Sequence, residues 1–369
     1  MTTRWLNSWQ MAAAKQSNPF VRDEFLMALE ASDACTVASS WRPFHLAVGK
    51  RIQVPAYIRD NSWGEYVFDW SWASAYEQHG LNYYPKLTLA VPFTPSKGPR
   101  LLGAETSDDA ERIIAAAKSA CIENQLSGFH ILFADEQDQQ LLDPLPLLQR
   151  MDIQYHWQNR DYQSFDDFLE HFKSRKRKNI RRERQTVLDQ GIEIKTIQGA
   201  DIEPDQLEAF YRFYQATYLK RGRKGYLNRA FFSQVCRTMP DNIVLFMAYQ
   251  AARPVAAALC FQDATTLYGR YWGCLEEFHS LHFETCYYHG IEYSIATGRQ
   301  RFDPGTQGEH KISRGFEPVR TKSYHWLAHP GFFEAAEDFC RSEQQYTQQF
   351  QKEVLQSLPF KETISRSEN

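Results

Sequence analysis

Apolar residues recur alternately at helical and at strand spacing along the first 145 residues. Helices are predicted over 21–31, 69–79 and 108–126, and strands over 35–39, 44–48, 51–58, 86–92 and 129–134. Such alternation indicates a layered α/β or α+β domain. The stretch Asp143-Pro144-Leu145-Pro146 interrupts both periodicities and marks the end of this domain.

A second series of elements follows in the rest of the chain. Helices are predicted over 165–190, 204–221, 229–238, 281–297 and from 334 onwards, and strands over 153–157, 192–197, 243–249, 255–261 and 266–274. Antiparallel strands followed by a helix, a further strand and a loop are the order that an N-acyltransferase domain of the GNAT type needs. We therefore predict two domains, 1–147 and 148–369, the second containing a basic helix over 165–190.

The net charge of −3 excludes a protein that is basic throughout, but the charge is unevenly distributed. The segment 173–184 carries eight basic residues and one acid. On a helix they form two faces, one with Arg175, Lys178 and Arg182 and one with Arg177, Arg181 and Arg184. This density favours contact with phosphates of RNA, of a nucleotide-linked substrate or of a pyrophosphate. The alternatives are a solvated helix or a patch that touches anionic lipid.

The cysteine pattern and the N-terminal residues indicate in which cellular compartment the protein is found. Seven cysteines are scattered without a CxxC pair, and the N-terminal residues contain no apolar signal-peptide core. No apolar run approaches the length of a membrane helix. We expect reduced thiols, a cytoplasmic protein without membrane insertion, and no metal site.

A loop rich in ionisable side chains follows the last short strand predicted in the second domain. Residues 301–316 turn on Pro304 and Gly305 and then place Glu309, His310, Lys311 and Arg314 within six residues. Proline and glycine suit a loop that lies close to a ligand. The alternative is a solvated turn with ordinary surface charges.

Other residues could contribute to a site in either domain. Candidates for pocket lining are Tyr268 and Arg270, those for a general base are His282 and Glu284, and those for binding an anionic acceptor are Lys86 and Arg100. Each has an ordinary structural alternative, such as a helix-dipole contact for Glu284 or a rim charge for Lys86 and Arg100. The GxSxG, Walker A and GxGxxG motifs are absent, and the usual acetyl-CoA pyrophosphate loop is not clearly present.

Several short strings together resemble one bacterial family, the FemAB-like predicted N-acyltransferases of the GNAT superfamily. They are Ser62–Asp69, Tyr83–Leu87, Pro92–Pro95, Arg177–Arg181, Leu267–Trp272 and Gln307–Lys311. The resemblance implies an α/β (α+β) fold with two GNAT-like domains, each a mixed, mostly antiparallel sheet flanked by helices. Within these strings we expect Glu65 and Tyr84 to contact substrate.

The resemblance also implies a reaction. Fem peptidyltransferases move an amino acid from aminoacyl-tRNA to an amine of a peptidoglycan precursor, and Phe302–Gly305 followed by Lys311 and Gly315-Phe316 resembles their lysine-bearing element. The chain differs from them by inserting Glu309-His310 beside Lys311 and by lacking a coiled-coil arm.

We therefore expect an N-acyltransferase with no bound cofactor that uses acyl-CoA or aminoacyl-tRNA as co-substrate. Its partners would be this donor, an amine acceptor and, for an aminoacyl donor, tRNA. In this scheme Lys311 and Arg314 contact the donor or the oxyanion, and His310 or Glu309 transfers the proton. The alternative is a non-catalytic module that recognises peptidoglycan precursors, nucleic acid or an anionic membrane.

Overall fold

The computed structural model describes residues 2–12, 14–306 and 308–361. The helices are α1 (Asp23–Ala31), α2 (Trp70–Gln78), α3 (Ser107–Glu123), α4 (Glu136–Leu142), α5 (Phe165–Glu170), α6 (Ser174–Asp189), α7 (Pro204–Leu219), α8 (Arg229–Thr238), α9 (Leu281–Phe283), α10 (His289–Ala296) and α11 (Pro330–Ser357). The strands are β1 (Thr3–Leu6), β2 (Arg42–Pro43), β3 (His45–Val48), β4 (Ile52–Val54), β5 (Ala56–Arg59), β6 (Lys86–Leu89), β7 (Gly128–Ala134), β8 (Leu148–Gln158), β9 (Ile192–Gln198), β10 (Ile243–Gln250), β11 (Arg253–Gln262), β12 (Thr266–Cys274), β13 (Arg301–Asp303) and β14 (Glu317–Leu327).

The chain forms two compact units. Unit 1 comprises 1–153, 226–231 and 320–350, and unit 2 comprises 154–225, 232–319 and 351–369. The domain ranges 1–147 and 148–369 stay a prediction; the segments 226–231 and 320–350 belong to unit 1.

Unit 1 contains a small antiparallel sheet and a larger mixed one. The small sheet has the order β1-β3-β4, and the larger one the order β2-β5-β6-β7-β14, in which only β6 and β7 run parallel. Helix α3 packs its Ala110, Ile113 and Ala117 into the same apolar core as Leu87 and Ile131 of the strands. Burial of this helical stripe against β6 and β7 holds the layers together.

Unit 2 is built on the antiparallel strands β9, β10, β11 and β12, with β13 added parallel to β12 and β8 paired antiparallel to β13. Residues 243–248 of β10 are all buried, as expected for a central strand covered on both faces. Helix α7 lies against β12, where a Cβ added to Gly273 would be 2.0 Å from the carbonyl oxygen of Phe213. Glycine is therefore required for this close approach.

Three predicted elements differ in the structure. Residues 35–39 form turns rather than a strand, and the strand predicted over 51–58 is divided at Pro55 into β4 and β5, which belong to different sheets. Proline cannot donate a ladder hydrogen bond, which favours a break there.

The basic helix predicted over 165–190 is also wrong as one element, because the chain breaks between α5 and α6. The N–H of Lys173 donates to Pro359 and the N–H of Lys361 donates to His171, both at 2.9 Å. Phe172 is fully buried, with its ring 4.9 Å from that of Phe360. The C-terminal segment thus takes backbone groups that a continuous helix would have used.

Candidate functional site

The ionisable residues of the 301–316 loop divide into a buried and an exposed pair. After β13, the loop turns on Gly305, whose N–H donates to Asp303, and residues Glu309–Arg314 form a 3₁₀ helix. Lys311 and Arg314 are buried on this turn, whereas Glu309 and His310 are exposed. Gln307, the first residue of the family-like string here, lies outside the described residues.

Lys311 carries its ammonium group into the protein interior. Its Nζ donates to the carbonyl oxygen of Gly305 at 2.6 Å, and the residue is 1 % exposed. Burial lowers the pKa of Lys311 to about 8; the Asp303 carboxylate opposes this and the Arg270 guanidinium adds to it. The amine is therefore cationic at neutral pH but close to its titration point.

Arg314 is fixed by three neighbours. Its Nη2 donates to both carboxylate oxygens of Glu183 at 2.9 Å, and its Nη1 donates to the carbonyl oxygen of His310 at 2.8 Å. Its guanidinium carbon lies 3.5 Å from the centroid of the Phe283 ring. The phenol of Tyr288 also donates to Glu183. Arg314 is thus a preorganised cation on an aromatic face.

Two histidines and a tyrosine form a cluster at the start of the α9 segment. The Tyr287 hydroxyl is 2.9 Å from Nε2 of His310, and the His282 ring lies 5.3 Å from that of Tyr287. Burial, together with the neighbouring His310, Lys311 and Arg314, lowers the pKa of His282 to about 4. The pKa of His310 is lowered as well, by burial and then by Arg314. At neutral pH both imidazoles are uncharged and each has a nitrogen able to accept a proton.

Glu284, a predicted general base, lies in the π-helical turn Glu284–Tyr288 between α9 and α10. Its oxygens accept from Arg184 Nε at 3.1 Å, and Arg184 also pairs with Glu292 at 2.7 Å. Burial raises the pKa of Glu284 despite this partner. The ion pair favours a structural contact between α6 and the π-helical turn.

The two pocket-lining candidates on β12 have different surroundings. Tyr268 is buried and its hydroxyl donates to Asp263 at 2.8 Å. Arg270 is close enough to Lys311 to lower the pKa of that lysine. Of the two, only Arg270 belongs to the electrostatic surroundings of Lys311.

A cleft of about 660 Å³ opens beside this cluster. It is lined from α6 by Arg182, Glu183 and Thr186 and from the β12–α9 connection by Glu277–Ser280, His282 and Phe283. The cleft wall therefore contains one predicted base and one predicted phosphate ligand. Sequence reasoning missed Glu183 and Phe283, although Glu183 is the single acid within the basic run.

The two basic faces predicted for α6 differ in their partners. On one face, Arg177 and Arg181 pair with Glu170 and Asp166 at 2.7 and 3.0 Å, and Arg184 pairs with Glu284. On the other face, Arg175 and Lys178 are exposed and form no ion pair with a described residue, and Arg182 lines the cleft. The face that leads into the cleft thus carries uncompensated positive charge.

Three of the four substrate-binding candidates of unit 1, Glu65, Lys86 and Arg100, are buried, and Tyr84 is half-buried. Lys86 Nζ donates to Glu65 and Ser62 at 2.8 Å and contacts Asp69, and Ser62 Oγ is 2.9 Å from the Tyr84 hydroxyl.

Arg100 is equally buried, and it donates to the carbonyl oxygens of Leu132 and Ser96 at 2.8 and 2.7 Å. Burial lowers the pKa of Arg100 to about 10. Lys86 and Arg100 therefore do not form a charged rim, and their donors contact internal acceptors.

Over 2–12, 14–306 and 308–361, no three His, Cys, Asp or Glu side chains are grouped so that they could hold a metal ion. Within the same ranges no helix is long and apolar enough to cross a membrane.

A family model described as peptidoglycan biosynthesis/recognition, FemAB_like, matches residues 5–362. The chain belongs to the FemAB-like family. No curated protein shows significant sequence similarity to it. Family membership supports a transferase in general, as expected from the sequence.

Solved structures share the fold of this FemAB-like chain at low identity. L-PGS from Bacillus licheniformis is 9% identical, with a TM-score of 0.51, covering 89% of this chain and 98% of its own. The crystal structure of FemX is 10% identical, with a TM-score of 0.49 and coverage of 84% and 93%. A tandem GNAT protein from the clavulanic acid pathway is 9% identical, with a TM-score of 0.43 and coverage of 89% and 99%. The predicted mixed α/β fold, with mostly antiparallel sheets flanked by helices, is confirmed.

Proposed function

We propose that this FemAB-like protein is an N-acyltransferase. It would transfer an acyl or aminoacyl group from acyl-CoA or aminoacyl-tRNA to an amine of a peptidoglycan precursor, in the cytoplasm where both donors occur. The observation that carries the proposal is the wall of the unit 2 cleft, where uncharged His282 adjoins Phe283 and the Arg314 cation stacked on it.

The chemistry needs a proton acceptor and a positive environment for the developing oxyanion. When an amine attacks a carbonyl carbon, its N–H becomes strongly acidic, so a weakly basic imidazole such as that of His282 can take the proton. Arg314 is held as a cation by Glu183, and Lys311 is cationic below pH ~8. We assign them to the acyl oxygen or to the donor, and His310 to the hydrogen-bonded surroundings of Tyr287.

The donor is proposed to approach along α6. Arg175, Lys178 and Arg182 are spaced so that they follow one side of the helix over about 10 Å, since each residue rises ~1.5 Å. This row ends at the cleft with Arg182. Phosphates of coenzyme A or of tRNA would fit such a row, so the charge supports both donor classes equally.

The decisive experiment is Lys311→Ala, assayed with acyl-CoAs and with charged tRNA on muropeptide acceptors. We expect transfer to be lost while thermal unfolding shows a folded protein. Lys195→Ala is the matched control, because this lysine is exposed on β9. Full activity of folded Lys311→Ala would refute the role of Lys311. Muropeptide binding without transfer from any donor would instead favour a recognition module.

A further inference from the structure

A second cavity, of about 320 Å³, lies within unit 1. Phe68 and Phe133 form part of its lining. Phe133 has φ of 57°, in the left-handed region that bulky residues rarely adopt, at an irregularity where the β7–β14 register shifts between Lys322 and Tyr324. Bulges of this kind redirect side chains and are common beside functional sites.

Three buried hydroxyl-bearing residues line this cavity, and each donates its hydrogen inside the protein. Thr321 Oγ1 donates to the carbonyl oxygen of Asp152 at 3.4 Å, and Thr347 Oγ1 donates to that of Met151 at 3.3 Å. Ser323 Oγ is 2.8 Å from Nε2 of His325. For Thr321 and Thr347 the remaining hydrogen-bonding capacity is that of acceptor lone pairs.

The direction of the Ser323 hydrogen bond follows from a buried chain of polar groups. Although burial opposes ionisation, Lys86 and other neighbours hold the pKa of Asp69 below its usual range, so Asp69 is a carboxylate. The Tyr83 hydroxyl donates to Asp69 at 2.6 Å and is 3.2 Å from Nε2 of His130. Because the Tyr83 hydrogen is already used, His130 must donate from Nε2.

The same reasoning extends to the next histidine. Burial, followed by the charge of Lys86, lowers the pKa of His130 well below its usual value. The pKa of His325 is also lowered well below its usual value, by burial and then by the neighbouring His130. Both rings are therefore neutral and carry one N–H each. Their Nδ1 atoms are 2.6 Å apart, so His325 donates to His130 from Nδ1, and its Nε2 is left to accept from Ser323. Ser323 thus also faces the cavity as an acceptor.

The charged residues of the lining are largely compensated. Arg150 donates to both oxygens of Glu343 at 2.9 and 2.6 Å, and Lys322 donates to Asp143 at 2.9 Å. Asp152 contributes a further carboxylate to the lining. An acceptor-rich wall with aromatic rings beside it suits a cationic hydrogen-bond donor on an apolar body.

We infer that the unit 1 cavity lined by Phe133, Ser323 and Thr347 binds a primary ammonium group attached to an apolar chain. The ammonium hydrogens are directed to the hydroxyl oxygens, and the chain contacts Phe68 and Phe133. This binding does not depend on transferase activity in unit 2.

The test compares two probes of equal shape, 2-phenylethylamine and 2-phenylethanol, by calorimetry and ligand-observed NMR on the full chain. We expect the ammonium to bind at least about tenfold more tightly than the alcohol, because hydrogen bonds from a charged donor are the stronger ones. Ser323→Ala and Thr347→Val should each weaken amine binding severalfold and leave alcohol binding unchanged. Two variants are needed in case one of them impairs folding.

Thr186→Val is the matched control, because Thr186 lines the cleft of unit 2. It should leave amine binding unchanged, as should Lys311→Ala, which tests transfer separately. Equal affinity for amine and alcohol, or amine binding insensitive to both Ser323→Ala and Thr347→Val in folded protein, would overturn the inference.

Discussion

The guanidinium carbon of Arg314 lies 3.5 Å from the centroid of the Phe283 ring. The same guanidinium donates to both oxygens of Glu183 on α6. Arg314 therefore connects the 3₁₀ turn after β13 with two elements that line the cleft. A cation held in this way needs no rearrangement when negative charge develops nearby.

Replacing this arginine by lysine should cost stability as well as activity. Arg314→Lys loses the paired hydrogen bonds to Glu183 and the planar contact with Phe283, because an ammonium group is a point charge without a planar face. We expect the free energy of unfolding to fall by about 1–3 kcal/mol, measured by urea denaturation. Arg341→Lys, at an exposed pair with Asp338, should change it by less than about 0.5 kcal/mol. Equal effects of the two would contradict the assigned role.

The buried ammonium of Lys311 should make stability rise with pH in a defined window. Its folded pKa is about 8 against an ordinary value of 10.5, so between these pH values the unfolded chain binds more protons than the folded one. The free energy of unfolding should therefore increase with pH across this window, by up to ~3 kcal/mol. Lys311→Met should lack this increase and be at least as stable as wild type at pH 7. If the free energy of unfolding depends on pH in the same way for both proteins, the folded state does not bury the ammonium form of Lys311.

The fold could largely be predicted from the sequence, but the break in the predicted basic helix could not. The stripe of α3 and the apolar run of β10 are periodic signals, and both elements appear where periodicity predicts them. The break between α5 and α6 could not be predicted, since it depends on hydrogen bonds from residues 173 and 361 to partners nearly 200 positions away in sequence. Local patterns contain no information about such pairs.

The candidate site was only partly predictable for a similar reason. The sequence identified Lys311 and Arg314 as candidates from the ionisable loop 301–316, and His282 from the start of the helix predicted over 281–297. The sequence did not show that Glu183 and Phe283 hold Arg314, because these contacts join positions 131 and 31 residues apart. Nor did it show that Lys86 is fully buried among its partners, since a lysine between aromatic residues is compatible with an exposed rim.

The two faces of α6 should contribute unequally to donor binding. Arg182→Ala removes a guanidinium that lines the cleft, whereas Arg181→Ala removes one already paired with Asp166. We expect Arg182→Ala to weaken donor binding at least threefold more than Arg181→Ala and to reduce its salt dependence. Affinities for an acyl-CoA and for a charged tRNA, titrated over a series of salt concentrations, measure both quantities. Similar losses in the two variants would indicate non-specific attraction by the whole helix.

Substitution of Lys86 in its buried cluster should strongly lower the folding stability of unit 1. Lys86 is fully buried and contacts Glu65, Asp69 and Ser62. Lys86→Met therefore leaves the buried Asp69 carboxylate without its cation, whereas Glu65 keeps its pairing with Arg59. Breaking a buried pair in this way costs about 3–5 kcal/mol.

The cost of Lys86→Met should also depend on pH, with a sign fixed by Asp69. The pKa of Asp69 is lowered in the folded protein, so its contribution is present above the ordinary carboxyl pKa and is lost as the pH falls. The difference in stability between wild type and Lys86→Met should therefore be largest near pH 7 and shrink towards pH 3. Urea denaturation at several pH values measures it, with the exposed Lys50→Met as control. A loss below about 1 kcal/mol at pH 7 would mean that water or another cation compensates the Asp69 carboxylate, and it would refute this role of Lys86.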